Sequence, residues 1–329
     1  MRTVFLRNIL LYLKKLLKGI GYMKRIKSTF SIKNLENLSG IKAHTLRIWE
    51  KRYNLLEPDR TDTNIRRYSL ESLKRLLNVT LLYNHGFKIS KIAGLSDEEI
   101  PELVRSIALK SNSEQVSINA FKLAMINFDY ELFDENYNEI LQHHDFQHIF
   151  LNVFMPLMRE LGILWQTFAI SPSHEHFITN LIKQKIHLQT ESLQRTKARR
   201  NDHPPFVLFL PENEIHELGL LYLNYLILNS GYRTIFLGQS IQNSSLETLY
   251  SYNSEYYFVT YLTVEPNKEE IMPFVNDFHT NLLEGRNSKL LVFGPQQIEI
   301  DLTALPGQIE MYRSVESFSS KYLEENILV

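Results

Sequence analysis

The chain of 329 residues contains no cysteine. That absence excludes disulfides, thiol nucleophiles, iron–sulfur clusters and cysteine-held zinc, and it fits a reducing compartment. Net charge is also nearly absent, at −1. No apolar run approaches the roughly 18 residues that a membrane-spanning helix needs. The nearest candidate, residues 1–22 (MRTVFLRNILLYLKKLLKGIGY), is interrupted by Lys14, Lys15 and Lys18 and lacks a small-residue cleavage site. We expect it to be a leader outside the native product, with Met23 as the start. The alternative is a basic amphipathic helix lying on a membrane.

What is present is ordinary in amount and unusual in placement. Hydrophobic residues make up 44% and charged residues 22%, normal for globular folds, and the length suits two or three domains. From Met23 to Lys91 there are 15 lysines and arginines against 6 acidic residues; after Lys91 there are 16 against 31. A basic front and an acidic rear suggest a reader of polyanions joined to a part that avoids them.

The front reads as two short helices and a flap. Ser31 is placed to cap a helix carrying Ile32, Leu35 and Leu38, and Ser39-Gly40 turns the chain. A second helix follows at 43–53, where Leu46 and Trp49 share one face while His44, Thr45, Arg47 and Lys51 share the other. A cationic second helix after a tight turn is the pattern of a helix-turn-helix. Pro58, Asp59, Asp62 and Asn64 are turn formers, and Ile65 to Tyr68 can pair back as a strand, with Arg60, Arg66 and Arg67 standing on this wing. Ser69 caps a further helix that ends at Gly86. The expected DNA-contacting set is His44, Thr45, Arg47, Lys51, Arg52, Arg60, Arg66, Arg67 and Tyr68.

Behind the reader, Phe121, Met125, Phe128 and Leu132 repeat at helical spacing, as do Phe150, Phe154, Leu157 and Leu161. The polar stretch 194–205 reads as a linker. Short apolar runs at Phe206–Leu210, Thr234–Leu237, Tyr257–Leu262 and Leu290–Phe293 then alternate with helix-length segments, the rhythm of a parallel sheet. Within the first strand-to-helix connection stands Glu214-x-His216-x-x-Gly219. Imidazole is a good donor to a transition metal, and a nearby carboxylate can hold its other ring nitrogen. His143, His144 and His148 lack such company and read as a surface helical face.

The segments TLRIWEKRY, RRYS and HGFKISKIA, in that order over roughly residues 28–95, resemble the DNA-binding domain of MerR-type regulators. The WEKRY form resembles the branch whose sensor is a cobalamin-binding module. Glu214-x-His216-x-x-Gly219 is similar to the D/E-x-H-x-x-G signature of Rossmann-like cobalamin-binding domains, which implies His216 as lower axial ligand of cobalt. The family's Ser/Thr-x-Leu element is matched by Thr260-Tyr261-Leu262, whose hydroxyl the resemblance places beside the nucleotide tail; its Gly-Gly element reads Gly294-Pro295 here. Trp165 followed by Glu175-His176 resembles the W-x9-E-H motif of the helical caps in cobalamin-dependent light sensors, where the tryptophan covers the upper axial face. Gln166 stands where light-responsive members place a histidine.

The resemblance implies a multidomain α and α/β protein. Its expected parts are a winged helix-turn-helix at 23–96, a four-helix-type bundle at 97–195 and a Rossmann-like parallel α/β domain at 205–329. The implied function is a cytoplasmic, non-enzymatic transcriptional regulator controlled by cobalamin, with adenosylcobalamin as the expected form. Its expected partners are a double-stranded operator, as an inverted repeat, and further copies of itself as a dimer or tetramer. The alternatives are the same regulator with a ligand-free sensor acting through protein contacts, or a cobalamin-dependent methyltransferase-like enzyme.

Overall fold

The computed structural model describes residues 29–96, 98–108, 113–166, 170–200, 203–295 and 305–323; the leader at 1–22 and the side chains of Trp165 and Gln166 lie outside the described residues. The chain forms two compact units, one ending at Leu181 and the other starting at Ile182.

The first unit opens with helix α1 (Ile32–Ser39) and helix α2 (Ala43–Tyr53). Ser31 and Asn34 bond reciprocally across the α1 N-terminus, with an asparagine where a capping box usually has Glu or Gln. Gly40, in the left-handed region at φ 73°, closes α1. Leu35, Leu38, Leu46 and Trp49 are buried, so the two helices are joined through the faces the sequence marks as apolar. Strands β1 (Asp59–Arg60) and β2 (Arg66–Arg67) pair antiparallel as the wing. A bridge between Phe30 and Tyr68 ties its base to the start of α1. Ser69 caps α3 (Leu70–Asn84), and α4 (Ile89–Ile92) follows.

Helices α5 (Glu99–Ala108), α6 (Glu114–Asn127), α7 (Tyr130–Leu141), α8 (Phe146–Ile149), α9 (Met155–Gln166) and α10 (Pro172–Thr196) complete the helical part. A π-turn at Phe150–Phe154 joins α8 to α9. Helix α6 is buried on every side from Val116 to Ile126, as expected of a helix at the centre of a bundle. Its one buried cation, Lys122, is paired with Glu160 of α9. The run expected as one helix through Phe121 and Leu132 is broken: Phe128 caps α6 at φ 54°, and Leu132 belongs to α7, capped by Asp129.

The second unit is a five-stranded parallel sheet in the order β4-β3-β5-β6-β7. Its strands are β3 (Phe206–Pro211), β4 (Thr234–Ile241), β5 (Tyr257–Tyr261), β6 (Lys289–Phe293) and β7 (Ile309–Met311). Helices α11 (Leu218–Asn229), α12 (Asn243–Leu246), α13 (Ile271–Phe278) and α14 (Val315–Tyr322) connect or follow them. Strand residues of alternate parity feed two cores. Phe206, Leu208, Val259, Leu291 and Phe293 pack with Leu220, Leu223 and Phe318 of α11 and α14. Val207, Phe209, Phe258, Leu290 and Val292 pack with Ile271, Val275 and Phe278 of α13. A sheet covered on both faces must be apolar on both, which explains the continuous hydrophobic runs. The expected linker is not loose throughout: α10 runs to Thr196, and the Arg200 amide donates to the Gly231 carbonyl at 2.9 Å.

Candidate functional sites

The reader's outer face is built as the spacing predicts. His44, Arg47, Lys51 and Arg52 are exposed on α2, Thr45 is half-buried, and Arg60 is exposed on β1. Two expected DNA contacts are placed differently. Tyr68 is completely buried and its hydroxyl donates to Glu50 at 3.0 Å. Burial and the neighbouring carboxylate hold its phenol well above the usual range. Arg66 places its Nε 3.0 Å from both carboxylate oxygens of Glu50. Glu50 therefore pins the wing to α2, and Arg66 is a structural cation whose charge is largely spoken for. Arg67 remains half-buried. The sequence reading overlooked Ile48 and Ile65, each 53% exposed, on the recognition helix and the wing. An apolar residue on an otherwise charged outer face was the available clue.

The second cluster sits at the carboxyl edge of the sheet, beside the point where the order turns from β3 toward β4 on one side and β5 on the other. Open α/β sheets bind ligands there. Glu214 is fully buried. One oxygen accepts from the Ile215 and His216 amides, each at 2.8 Å, and lies 2.6 Å from His216 Nδ1. The other accepts from Thr263, Val264 and Glu265 amides at 3.3, 2.7 and 2.8 Å. Burial alone would raise its pKa, but the bonds from Val264, Glu265 and His216 outweigh it and hold it at about 2. An ionised carboxylate only accepts, so Nδ1 carries the hydrogen. In the neutral ring Nε2 then keeps the lone pair for a metal. The His216 side chain is 52% exposed. Next to it, Glu217 is paired with Lys183 of α10 at 3.0 Å.

The remaining members of this cluster are brought to the same edge. Thr260 is fully buried and its Oγ1 has no hydrogen-bond partner, a polar group left available to something the protein does not itself supply. Leu262 is buried, and its amide donates to the Phe293 carbonyl. Gly294 adopts φ 108° with its Cα against the Leu262 backbone, so any Cβ there would collide. Gly219 also lies under a close neighbour. A Cβ on it would stand 2.5 to 2.8 Å from the ring of Tyr261. The bulky group that this glycine admits is the chain's own tyrosine.

Glu175 and His176 lie on α10 in the first unit. Glu175 accepts from Thr179 at 2.9 Å, and its other oxygen is 3.3 Å from Nδ1 of the exposed His176. His174 is committed elsewhere, bonded to Ser171 and stacked on Phe128 with centroids 4.7 Å apart. Burial, helped by Lys74, lowers its pKa. His144 stacks on His148, and His143 approaches Glu139 at 3.6 Å. Among the described residues no three His, Asp or Glu side chains converge as a metal cage, and no helix is long and apolar enough to cross a membrane.

Residues 30–99 match the family model described as MerR HTH family regulatory protein, and residues 117–188 match that of the B12 binding domain. The HTH-type transcriptional repressor CarH of Myxococcus xanthus is 25% identical over 224 residues, covering 66% of this chain and 73% of its own length. The repressor CarA of the same organism is 26% identical over 232 residues, covering 67% and 71%. Among solved structures, the monomethylamine corrinoid protein of Methanosarcina barkeri aligns with 70% of this chain and 99% of its own at 12% identity, with a TM-score of 0.48. The chain thus joins a MerR-type helix-turn-helix DNA-binding domain to a B12-binding-type sensor region.

Proposed function

We propose that this protein is a transcriptional repressor whose grip on an inverted-repeat operator is set by adenosylcobalamin held at the sheet edge. The observation that carries the reading is the Glu214–His216 pair, an imidazole half in solvent with its far nitrogen fixed by a buried carboxylate. Cobalamin, if bound, would supply a cobalt ion able to take an imidazole nitrogen as ligand. His216 offers Nε2 to it, Glu214 orients the ring, and the Thr260 hydroxyl supplies a buried polar contact. Trp165, Glu175 and His176, which the resemblance assigns to the cofactor, belong to the same proposal. The reader engages DNA through His44, Arg47, Lys51, Arg52 and Arg60, with Thr45 and Arg67 at the margin and Ile48 and Ile65 as apolar contacts. Phosphate neutralisation supplies affinity and base-edge contacts supply choice. Ligand acts by favouring one oligomeric arrangement over another, a dimer or tetramer, through unequal affinity for the two.

The proposed domain limits are 23–96, 97–195 and 205–329, in a cytoplasmic regulator that is not an enzyme. Light sensitivity would need a cobalt ligand other than Gln166. A second reading, a sensor that binds no ligand, is favoured by one observation: the Tyr261 ring fills the space above Gly219. Titrating the full chain with adenosylcobalamin in the dark decides between them. The first reading predicts a shift in the corrin absorbance bands that is lost in His216→Ala. Spectra that simply add, with no binding by either protein, establish the second.

A further inference from the structure

The Tyr261 ring stands in a specific place. Tyr261 is the last residue of β5, and β5 lies between β3 and β6 at the ligand-binding edge. Its ring points to the α11 side of the sheet, packs against the core formed there by Leu208, Leu220 and Val259, and covers Gly219 at the first turn of α11. Thr260, its neighbour, shares the opposite side of the sheet with Phe209 and Val292, so on the α11 side the closing group is the Tyr261 ring. The edge therefore has one part that is open, where His216 is half exposed, and another, over Gly219, that the Tyr261 ring closes. Three backbone amides bonded to Glu214 hold residues 263–265 and so fix the end of β5. The ring, in contrast, is held by apolar packing and belongs to a rotatable side chain.

We infer that Tyr261 is the specificity gate of the corrinoid site, closing the slot beneath His216 to the nucleotide tail while leaving the upper surface open to the corrin ring. The inference rests on the corrinoid reading of His216. A ligand that inserts a benzimidazole nucleotide between β5 and α11 must first lift the ring off Gly219, and the affinity lost to that displacement is a filter. A corrinoid without the nucleotide meets no such obstacle. The residue types agree with a filter acting on bulk: the ring is the obstruction, and the phenol oxygen is not needed for it.

The test compares adenosylcobalamin with adenosylcobinamide, which has the same corrin and adenosyl group but no nucleotide, each titrated in the dark into the full chain. In the wild type, adenosylcobinamide binds at least as tightly as adenosylcobalamin. Tyr261→Ala raises adenosylcobalamin affinity at least tenfold and leaves adenosylcobinamide within twofold, whereas Tyr261→Phe behaves as wild type. Tyr261→Leu, shorter but still apolar, gives the same direction and covers the case in which the alanine variant fails to fold. Adenosylcobalamin binding the wild type tenfold more tightly than adenosylcobinamide overturns the gate, as does an equal effect of the substitutions on both ligands. In those outcomes the sensor reading stands. Binding of neither corrinoid by any of the proteins removes the sensor reading and the gate together.

Discussion

The DNA reader and the sheet edge solve the same positioning problem with opposite electrostatics. Each hangs an exposed working group on a carboxylate withdrawn from solvent. In the reader, Glu50 is countered by a cation, Arg66, and by the Tyr68 hydroxyl. At the sheet edge, Glu214 accepts from five backbone amides and one imidazole, with no lysine or arginine bonded to it among the described residues. A cation-paired hub sits in a surface that must stay positive for DNA, and its loss is softened by nearby water. An amide-paired hub is different in kind: five N–H groups from two separate loops converge on one carboxylate. The first arrangement tunes a surface, and the second fixes two loops.

That contrast breaks most readily at Glu214. Glu214→Ala should destabilise the α/β unit by about 3 kcal/mol, because a hydrogen bond to a charged group contributes about 1.5–3 kcal/mol and several are lost at once, and urea denaturation reads this directly. An unchanged midpoint would show that water or a loop shift replaces the carboxylate. Acid provides a second route to the same hub. The folded pKa of about 2 lies below the ordinary 4.5, so the stabilisation is complete above about pH 4.5 and disappears as pH falls toward 2. The wild type should lose on the order of 2–3 kcal/mol across that window that Glu214→Gln does not lose. Glu310, with a pKa also held at about 2 despite burial by Lys321, Tyr312, Tyr322 and Lys289, titrates in the same range. The difference between wild type and variant isolates Glu214.

At Glu50 the expected effect is smaller and its sign is the informative part. Removing a negative charge from a DNA-facing helix ought to strengthen binding by simple electrostatics. If Glu50 acts as the wing's anchor, Glu50→Ala instead weakens operator binding about tenfold, roughly 1.4 kcal/mol, in fluorescence anisotropy. Tighter binding would mean that the wing needs no anchor. The smallest effect separates two arginines. Arg60→Ala should lower the slope of log affinity against log salt by about 1, the value for one phosphate contact. Arg66→Ala, already charge-paired, should lower it by less than half as much. Equal slopes would return Arg66 to the phosphate-contacting set.

How much of this was legible depended on how far each contact reaches along the chain. Ser31, Gly40 and Ser69 act within four residues, and the helices they delimit emerge where the sequence places them. Strands β3, β5 and β6 announce themselves because both faces are buried, whereas β4, mostly half-buried or exposed, shows only in the short apolar run Ile235–Leu237. Strand β7 does not, being only three residues with one of them Glu310. The break at Phe128 was hidden because a phenylalanine in the left-handed region carries no local mark. The Glu50–Arg66 pair spans 16 residues and the Glu214–Val264 bond spans 50; neither exists until the fold brings the partners together. Gly219 shows the limit most plainly. The sequence marks it only as the last position of Glu214-x-His216-x-x-Gly219, and the group packed against it is Tyr261, the variable position of another motif.

One chain joins a DNA reader to a B12-binding-type sensor region, and the most direct measurement links the two. Duplexes recovered by selection from a randomised pool should be titrated with the full chain in the dark, with and without adenosylcobalamin. The account predicts at least a tenfold change in affinity or a change in the size of the DNA-bound complex, with His216→Ala insensitive to the ligand. Identical binding curves and complex sizes in both conditions, with the ligand shown to be bound, would contradict it.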